Sequence, residues 1–171
     1  MTITIIGYRG TGKTTVGAEL ARRLGWDYVD MDPEIERQSG KSIAAIFNED
    51  GEPHFRDLES SELSRQLSRE QLVLSPGGGA ILRDDNRSLI QKSGPVVWLT
   101  ADVETIAGRV KTDPTSGARR PALTGLDFLS EIQQVLAQRQ PLYAEIATIT
   151  VRTDHRTPAS IVDEIVTLLP E

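Results

Sequence analysis

The sequence predicts an α/β protein in which a five-stranded parallel sheet lies between two layers of helices. Short apolar segments alternate along the chain with segments whose apolar residues recur at helical spacing. The apolar segments are continuous, as in Val96-Val97-Trp98-Leu99, which is typical of strands buried on both faces of a parallel sheet. The polar and glycine-rich motifs follow these segments, and ligands of such sheets bind beyond the carboxyl ends of the strands.

Taken in order, the elements follow from local pattern. Val16, Leu20 and Leu24 predict the first helix, and Gly25 is typical of a helix C-terminal cap. Prolines at 33 and 158 suit the first turn of a helix, whereas the prolines and glycines of residues 112–124 indicate an irregular loop. The expected strands are about 3–6, 28–29, 72–74, 96–99 and 147–151, and the expected helices are about 14–24, 33–39, 42–48, 52–68, 84–92, 103–110, 130–143 and 158–169.

Composition narrows the classes of function. The 171 residues suit one domain, spanning 1–171. The absence of cysteine excludes disulfides, thiolate metal sites and cysteine nucleophiles, and two histidines disfavour a multi-histidine metal site. A net charge of −6 disfavours nucleic acid as a partner. Because no apolar run approaches the ~20 residues that cross a bilayer and no basic leader is seen, we expect a cytoplasmic protein without membrane attachment.

A phosphate-binding loop is the most specific motif. The segment Gly7–Thr14 matches G-x-x-x-x-G-K-[ST] in full, between a predicted strand and a predicted helix. Its glycines let backbone N–H groups converge on phosphate oxygens, Lys13 reaches the β- and γ-phosphates, and Thr14 offers a hydroxyl to Mg²⁺. A plain glycine-rich turn is the alternative. The expected nucleotide-binding residues here are Gly7, Gly10, Thr11, Gly12, Lys13, Thr14 and Thr15.

Further motifs follow the loop in a characteristic order. They are Asp30-Met31-Asp32, Phe55-Arg56-Asp57-Leu58-Glu59, Gly77-Gly78-Gly79, Arg119-Arg120-Pro121 and Arg139-Gln140-Pro141-Leu142-Tyr143. With the loop, this set resembles shikimate kinase, a member of the nucleoside-monophosphate-kinase-like branch of P-loop proteins. The resemblance covers nearly the whole chain. It implies transfer of phosphate from ATP to shikimate with Mg²⁺, in aromatic amino-acid biosynthesis, with a substrate-binding region at about 32–62 and a lid at about 112–124.

The resemblance assigns the acidic residues after the second strand. Asp32 matches the aspartate that holds the substrate hydroxyls and acts as a base, which makes it, with Lys13 and Arg120, an expected catalytic residue. Asp30 matches the carboxylate that supports Mg²⁺ beside Thr14. The alternatives are that Asp32 only caps the helix before Pro33 and that Asp30 is a solvated residue at the end of a strand.

Two arginines match the pair that binds the substrate carboxylate. Arg56 and Arg139 carry planar guanidinium groups, which suit a carboxylate because two parallel hydrogen bonds can form. Glu59 lies on the same helical face as Arg56 and could orient it, meet a substrate hydroxyl, or form an ordinary surface ion pair.

Gly77, Gly78 and Gly79 would let the backbone approach the substrate, although a flexible turn is the alternative. The family usually has threonine before this run, whereas this chain has Ser75-Pro76, and the proline removes an N–H donor.

Three arginines complete the expected nucleotide site. Arg120 matches the lid arginine that reaches the transferring phosphoryl group, with Arg119 as a second candidate and a solvated loop charge as the alternative. Arg109 matches an arginine that stacks on adenine, and Arg156 lies in a loop that resembles the segment on the other side of the base.

Two other functions remain open at this point. Another small P-loop kinase, such as a gluconate kinase, would share the loop and the fold but would not need the two carboxylate-binding arginines. A non-catalytic nucleotide-binding module would be expected to lose Asp32 or Arg120, and both are present. We expect a monomer whose partner is the small molecule shikimate.

Overall fold

The computed structural model describes residues 1–113 and 127–170 of the chain. Its sheet has five parallel strands in the order β2-β3-β1-β4-β5, which confirms the predicted fold class. The strands are β1 (Thr2–Ile6), β2 (Asp27–Asp30), β3 (Leu72–Ser75), β4 (Val96–Thr100) and β5 (Ile149–Arg152).

The helices lie close to their expected positions. They are α1 (Lys13–Leu24), α2 (Met31–Ser39), α3 (Ile43–Ala45), α4 (Glu52–Leu67), α5 (Asp84–Ser93), α6 (Val103–Thr112), α7 (Phe128–Ile146) and α8 (Pro158–Leu168). A π-helical segment, Ile46–Asp50, continues α3, and a short 3₁₀ turn covers Ala80–Leu82. Gly25 ends α1 in the left-handed conformation, φ 69°, as the sequence predicts.

Three of the predicted boundaries are wrong for identifiable reasons. α7 runs on to Ile146 because the Ala147 N–H still donates to the Tyr143 carbonyl, so β5 begins at Ile149 instead of Ala147. α2 begins at Met31, two residues before Pro33, because the Asp30 side chain caps it.

Both faces of the sheet are covered. Ile3 and Ile5 of β1 point into a cluster formed with α1 and α8, and Ile6 belongs to a second cluster formed with α4, α5 and α7. This arrangement explains the continuous apolar strands, because each side chain of β1 meets protein on whichever face it points to.

The strand order determines where a ligand can bind. The chain leaves β1 toward β2 on one side, and β4 pairs with β1 on the other, so the loop after β1 lies where the connections diverge. Such a switch point leaves a crevice beyond the carboxyl ends of the strands. Within the described residues, no helix has the length and apolarity needed to cross a membrane.

Candidate active site

A cleft lies at the carboxyl ends of β1, β2 and β3. It brings together motifs that are far apart in the sequence, from the phosphate-binding loop to helix α6. The predicted site residues that line it are Gly10, Gly12, Lys13, Thr14, Thr15, Asp30, Asp32, Gly77, Gly78 and Arg109.

The loop after β1 has the geometry of an anion cradle. A β-carbon on Gly7 would lie 2.6 Å from the Leu99 carbonyl oxygen, and Gly12 has φ +99°, so both positions require glycine. Helix α1 begins at Lys13 without a side-chain cap and without an acidic residue in its first turn. Its first N–H groups therefore face the cleft as donors for phosphate oxygens.

Lys13 arches back over this loop. Its Nζ donates to the carbonyl oxygens of Gly7, at 2.9 Å, and Tyr8, at 3.0 Å. These contacts hold the ammonium group at the mouth of the cradle, where it adds a full positive charge to the partial charges of the N–H groups.

Thr14 and Asp30 form a pair of oxygen donors beside the cradle. Thr14 Oγ1 donates to Asp30 Oδ2 at 3.2 Å, and Asp30 Oδ1 accepts the Asp32 N–H at 3.1 Å. Burial, and next the neighbouring charge of Asp32, raise the pKa of the Asp30 carboxyl. A positive ion placed here would relieve this cost.

Mg²⁺ fits this donor pair. Within the described residues there is no group of three or more acidic or histidine side chains that could hold a metal ion. A magnesium ion needs no such group, because it commonly takes one or two protein oxygens together with phosphate and water.

The structure contradicts the alternative interpretations of both Asp30 and Asp32. The cap of α2 is Asp30, whose backbone is extended, whereas Asp32 lies inside the first turn. Asp32 is therefore not the cap, and it lines the cleft. Asp30 is not a merely solvated residue, because it caps a helix and is partly buried.

Arg56 and Arg139 lie against consecutive glycines. A β-carbon on Gly78 would lie 3.3 Å from Arg139 Nη1, and one on Gly79 would lie 2.5 Å from Arg56 Nη1. The two arginine residues are only 8% and 6% exposed, respectively. The sequence-predicted pair is thus brought together although α4 carries one arginine and α7 the other.

The glycine run is an ordered turn. The Ala80 N–H donates to the Gly77 carbonyl, and Gly78 and Gly79 do not have positive φ. Glycine is needed here for space, which the two guanidinium groups occupy, and not for flexibility. Before the run, Ser75 is buried at the end of β3, and both Ser75 and Pro76 line the cleft.

Glu59 orients Arg56. Its Oε2 accepts from Arg56 Nη1 at 2.7 Å, and the Glu59 side chain is 1% exposed, so the pair is buried and is not a surface ion pair. Arg139 differs, since no Asp or Glu oxygen of the described residues lies within ion-pair distance of it. Among the residues that the structure describes, only the Arg56 guanidinium group of the two has an acidic partner.

The two arginines expected near adenine have different surroundings. Arg109 lines the cleft and donates to the Gly10 carbonyl at 3.2 Å and to the Thr153 carbonyl at 2.9 Å. Arg156 instead donates to the Arg152 and Ser160 carbonyls and pairs with Glu164, which holds the start of α8. Its side chain does not line the cleft.

The expected lid falls largely outside the described residues, and so do Arg119 and Arg120. Its first expected residue, Thr112, is the last residue of α6, and Asp113 after it lines the cleft.

Comparison with known proteins identifies the family of this chain. The shikimate kinase family model matches residues 9–170. The chain belongs to the shikimate kinase family. It is 44% identical over 165 residues to the shikimate kinase of Nitratidesulfovibrio vulgaris, a match that covers 96% of this chain and 93% of that protein.

Solved structures of shikimate kinases agree with this assignment. The shikimate kinase of Acinetobacter baumannii in complex with shikimate superposes with a TM-score of 0.91 and 38% identity, covering 98% of this chain and 91% of that one. A gluconokinase from Sinorhizobium meliloti has a TM-score of 0.62 and 21% identity over 98% of this chain and 90% of that one, so it shares the fold alone.

Three residues of this shikimate kinase family member carry contacts that sequence reasoning missed. The Thr153 hydroxyl donates to the Thr11 carbonyl at 2.9 Å and accepts from Arg109. Arg9 occupies one of the x positions of the loop motif and lines the cleft. Its Nη2 lies 3.6 Å from Glu131 Oε1. The Tyr143 hydroxyl donates to the Gly78 carbonyl. Only Tyr143 had a signal, because it lies one helical turn after Arg139.

Proposed function

We propose that this protein transfers the γ-phosphoryl group of ATP to the 3-hydroxyl of shikimate, which gives ADP and shikimate 3-phosphate for aromatic amino-acid biosynthesis. The observation that carries the proposal is Arg139, a guanidinium group that is nearly buried without an acidic partner in the described chain. Membership of the shikimate kinase family supports the same acceptor.

The charge balance of the acid site favours a carboxylate ligand. A buried charge is costly unless it is paired and hydrogen-bonded. Glu59 neutralises Arg56 and holds its guanidinium plane, so of these two arginines Arg139 is the one without an acidic partner among the described residues and is available to an incoming acid. Both guanidinium groups lie against the same glycine turn, where a single carboxylate could accept hydrogen bonds from both.

The reacting hydroxyl is assigned to Asp32. This carboxylate lines the same cleft as the phosphate-binding loop and the glycine turn. It would accept a hydrogen bond from the attacking hydroxyl, align it with the phosphoryl group and take its proton. Gly77 and Gly78 line the same cleft and leave room for the ring of the substrate.

The phosphates of ATP are assigned to the phosphate-binding loop. Backbone N–H groups from Gly7 to Thr15 and the Lys13 ammonium would bind the phosphates and stabilise the charge that builds up during transfer. Thr14 and Asp30 would hold Mg²⁺, which, when bound, neutralises phosphate charge. Arg120, outside the described residues, is proposed to reach the transferring group.

The base of ATP is assigned to the region around Arg109. The guanidinium group is held at the cleft by Gly10 and Thr153, which presents a flat cation for stacking. Arg156 would act through the backbone of its loop, since its guanidinium group is engaged with α8.

The test is an ADP-release assay with shikimate, gluconate and nucleoside monophosphates as separate acceptors. We expect ADP to be released only when shikimate is the acceptor, and only in the presence of Mg²⁺. Release of ADP with gluconate and not with shikimate would show that gluconate is the acceptor. Binding of ATP without ADP release on any acceptor would indicate a non-catalytic module.

A monomeric state and a cytoplasmic location are proposed with the function. Sedimentation of the purified chain tests the first, and cell fractionation tests the second.

A further inference from the structure

The Tyr143 side chain joins helix α7 to the glycine turn of the acid site. Its hydroxyl donates to the Gly78 carbonyl oxygen at 2.7 Å, and the residue is 0% exposed. The ring packs near Trp98 of β4, with 5.8 Å between ring centroids. The hydrogen bond is therefore made from a side chain that the core holds in place.

This bond restricts the peptide group between Gly78 and Gly79. A peptide unit is planar, and its carbonyl and N–H point in opposite directions. Two successive glycines have the greatest backbone freedom of any pair, so the local sequence does not hold this plane. Anchoring the carbonyl to the Tyr143 hydroxyl orients the whole plane, including the Gly79 N–H.

The same plane lies beside both guanidinium groups. A β-carbon on Gly78 would lie 3.3 Å from Arg139 Nη1 and 3.4 Å from the Tyr143 hydroxyl, and a β-carbon on Gly79 would meet Arg56. Arg139 and Tyr143 are separated by one turn of the same helix. The same helix thus places the Arg139 guanidinium group, which has no acidic partner among the described residues, and anchors the turn against which that group lies.

We propose that Tyr143 is a positioning residue for carboxylate recognition, acting through the Gly78–Gly79 peptide. Rotation of this peptide would change the surface against which Arg56 and Arg139 rest and would spoil the two-sided grip on a carboxylate. The role lies in the hydroxyl, because phenylalanine would fill the same space in the core. The inference rests on the proposed function, since it assumes an acidic substrate in this pocket.

The test compares Tyr143→Phe with the wild-type protein for two ligands, shikimate and its carboxamide. Calorimetry gives Kd for each, and the ratio of the two values measures recognition of the carboxylate. We expect the wild-type protein to prefer the acid strongly and Tyr143→Phe to reduce that preference about 5- to 20-fold, the range of one lost buried hydrogen bond. In turnover, KM for shikimate should rise and KM for ATP should stay the same.

Two controls separate positioning from a general loss of stability. Ile161→Val removes one methylene from the opposite face of the sheet and should lower the Tm without altering the ratio. Site-specific 3-fluorotyrosine at position 143 keeps the hydroxyl and should retain the wild-type ratio.

The outcomes distinguish the two proposals. An unchanged ratio in Tyr143→Phe, with a wild-type protein that prefers the acid, overturns the positioning role alone. Equal affinity of the wild-type protein for acid and carboxamide overturns the carboxylate grip and the proposed acceptor with it. If Tyr143→Phe does not fold, site-specific 4-fluorophenylalanine at position 143 fills the space of the hydroxyl without donating a hydrogen bond: a reduced ratio there supports the role, and a wild-type ratio overturns it.

Discussion

Arg56 Nη1 lies 2.5 Å from the position that a β-carbon on Gly79 would occupy. The guanidinium group cannot simply swing away, because Glu59 holds it in a buried ion pair. The glycine and the arginine are therefore matched in space.

Gly79→Ala should leave a folded protein with a damaged acid site. The added methyl group must displace the Arg56 guanidinium group, so we expect the Kd for shikimate to rise by about 10-fold or more, equivalent to about 1.4 kcal/mol. Calorimetry measures the Kd and thermal unfolding the stability. Gly108→Ala is the matched control, since its β-carbon would meet no atom of the described residues within 4 Å. Wild-type affinity in Gly79→Ala would contradict the assigned contact.

Arg139→Met should abolish acid binding while the ligand-free protein keeps or gains stability. The arginine is nearly buried without an acidic partner in the described chain, so an apolar side chain of similar length removes an uncompensated charge. Urea unfolding should show an unchanged or higher free energy of unfolding, and KM for shikimate should rise far more than KM for ATP.

Arg87→Met is the contrasting variant. Arg87 is also nearly buried, but it pairs with Asp84 and Glu145 and donates to the Ile81 carbonyl. Its replacement should lower the free energy of unfolding by about 1–3 kcal/mol. A comparable loss in Arg139→Met would show that Arg139 is structural.

Lys13→Ala should remove most of the turnover and leave the fold intact. Lys13 Nζ donates to the loop carbonyls of Gly7 and Tyr8, at 2.9 and 3.0 Å, and the side chain is partly exposed, so its removal costs little packing. We expect kcat to fall about 100- to 1,000-fold, the range for loss of one charge-stabilising donor. Circular dichroism and the Tm verify folding. Near-normal turnover would refute the assignment of the phosphate site.

Asp154→Asn should destabilise the protein more at neutral pH than in acid. Burial opposes the charged carboxylate, but hydrogen bonds from the Thr105 hydroxyl, the Asp102 N–H and Arg152 outweigh it and lower the Asp154 pKa from 3.8 to about 2. A lowered folded-state pKa gives stability that is complete above about pH 4 and is lost between about pH 4 and 2.

Urea unfolding at pH 7, 4 and 3 measures this dependence. We expect Asp154→Asn to lose about 1–3 kcal/mol at pH 7, and the gap to the wild-type protein should close as the pH falls. Asp163→Asn is the control, because its pairing with Arg23 is exposed at both side chains and should matter little at any pH. A gap that does not depend on pH would rule out the charge as its cause.

Much of the site was predictable from local sequence, for two physical reasons. A phosphate-binding loop is built from consecutive residues, so glycine spacing and one lysine specify it without distant partners. In a parallel sheet, strand ends gather at one edge, so Asp30, Asp32 and the glycine run could be placed near that loop in advance.

Contacts between distant elements required the folded chain. Whether Asp30 or Asp32 caps α2 depends on the residue at which the backbone leaves the strand, and the predicted start of α2 at Pro33 was two residues too late. Arg156 and Arg109 look alike in sequence, yet packing directs one to the start of α8 and the other to the cleft. Sequence periodicity describes one element at a time and carries no record of such packing.

The chain alone thus specified the loop, the sheet and the chemistry at the strand ends, because each depends on neighbouring residues or on the regular geometry of parallel strands. Tertiary packing determined how Arg56 from α4 and Arg139 from α7 meet at Gly78 and Gly79, and how Tyr143 anchors that turn. These side chains become neighbours only when both helices dock on one face of the sheet, and the position of each helix is a property of the whole core.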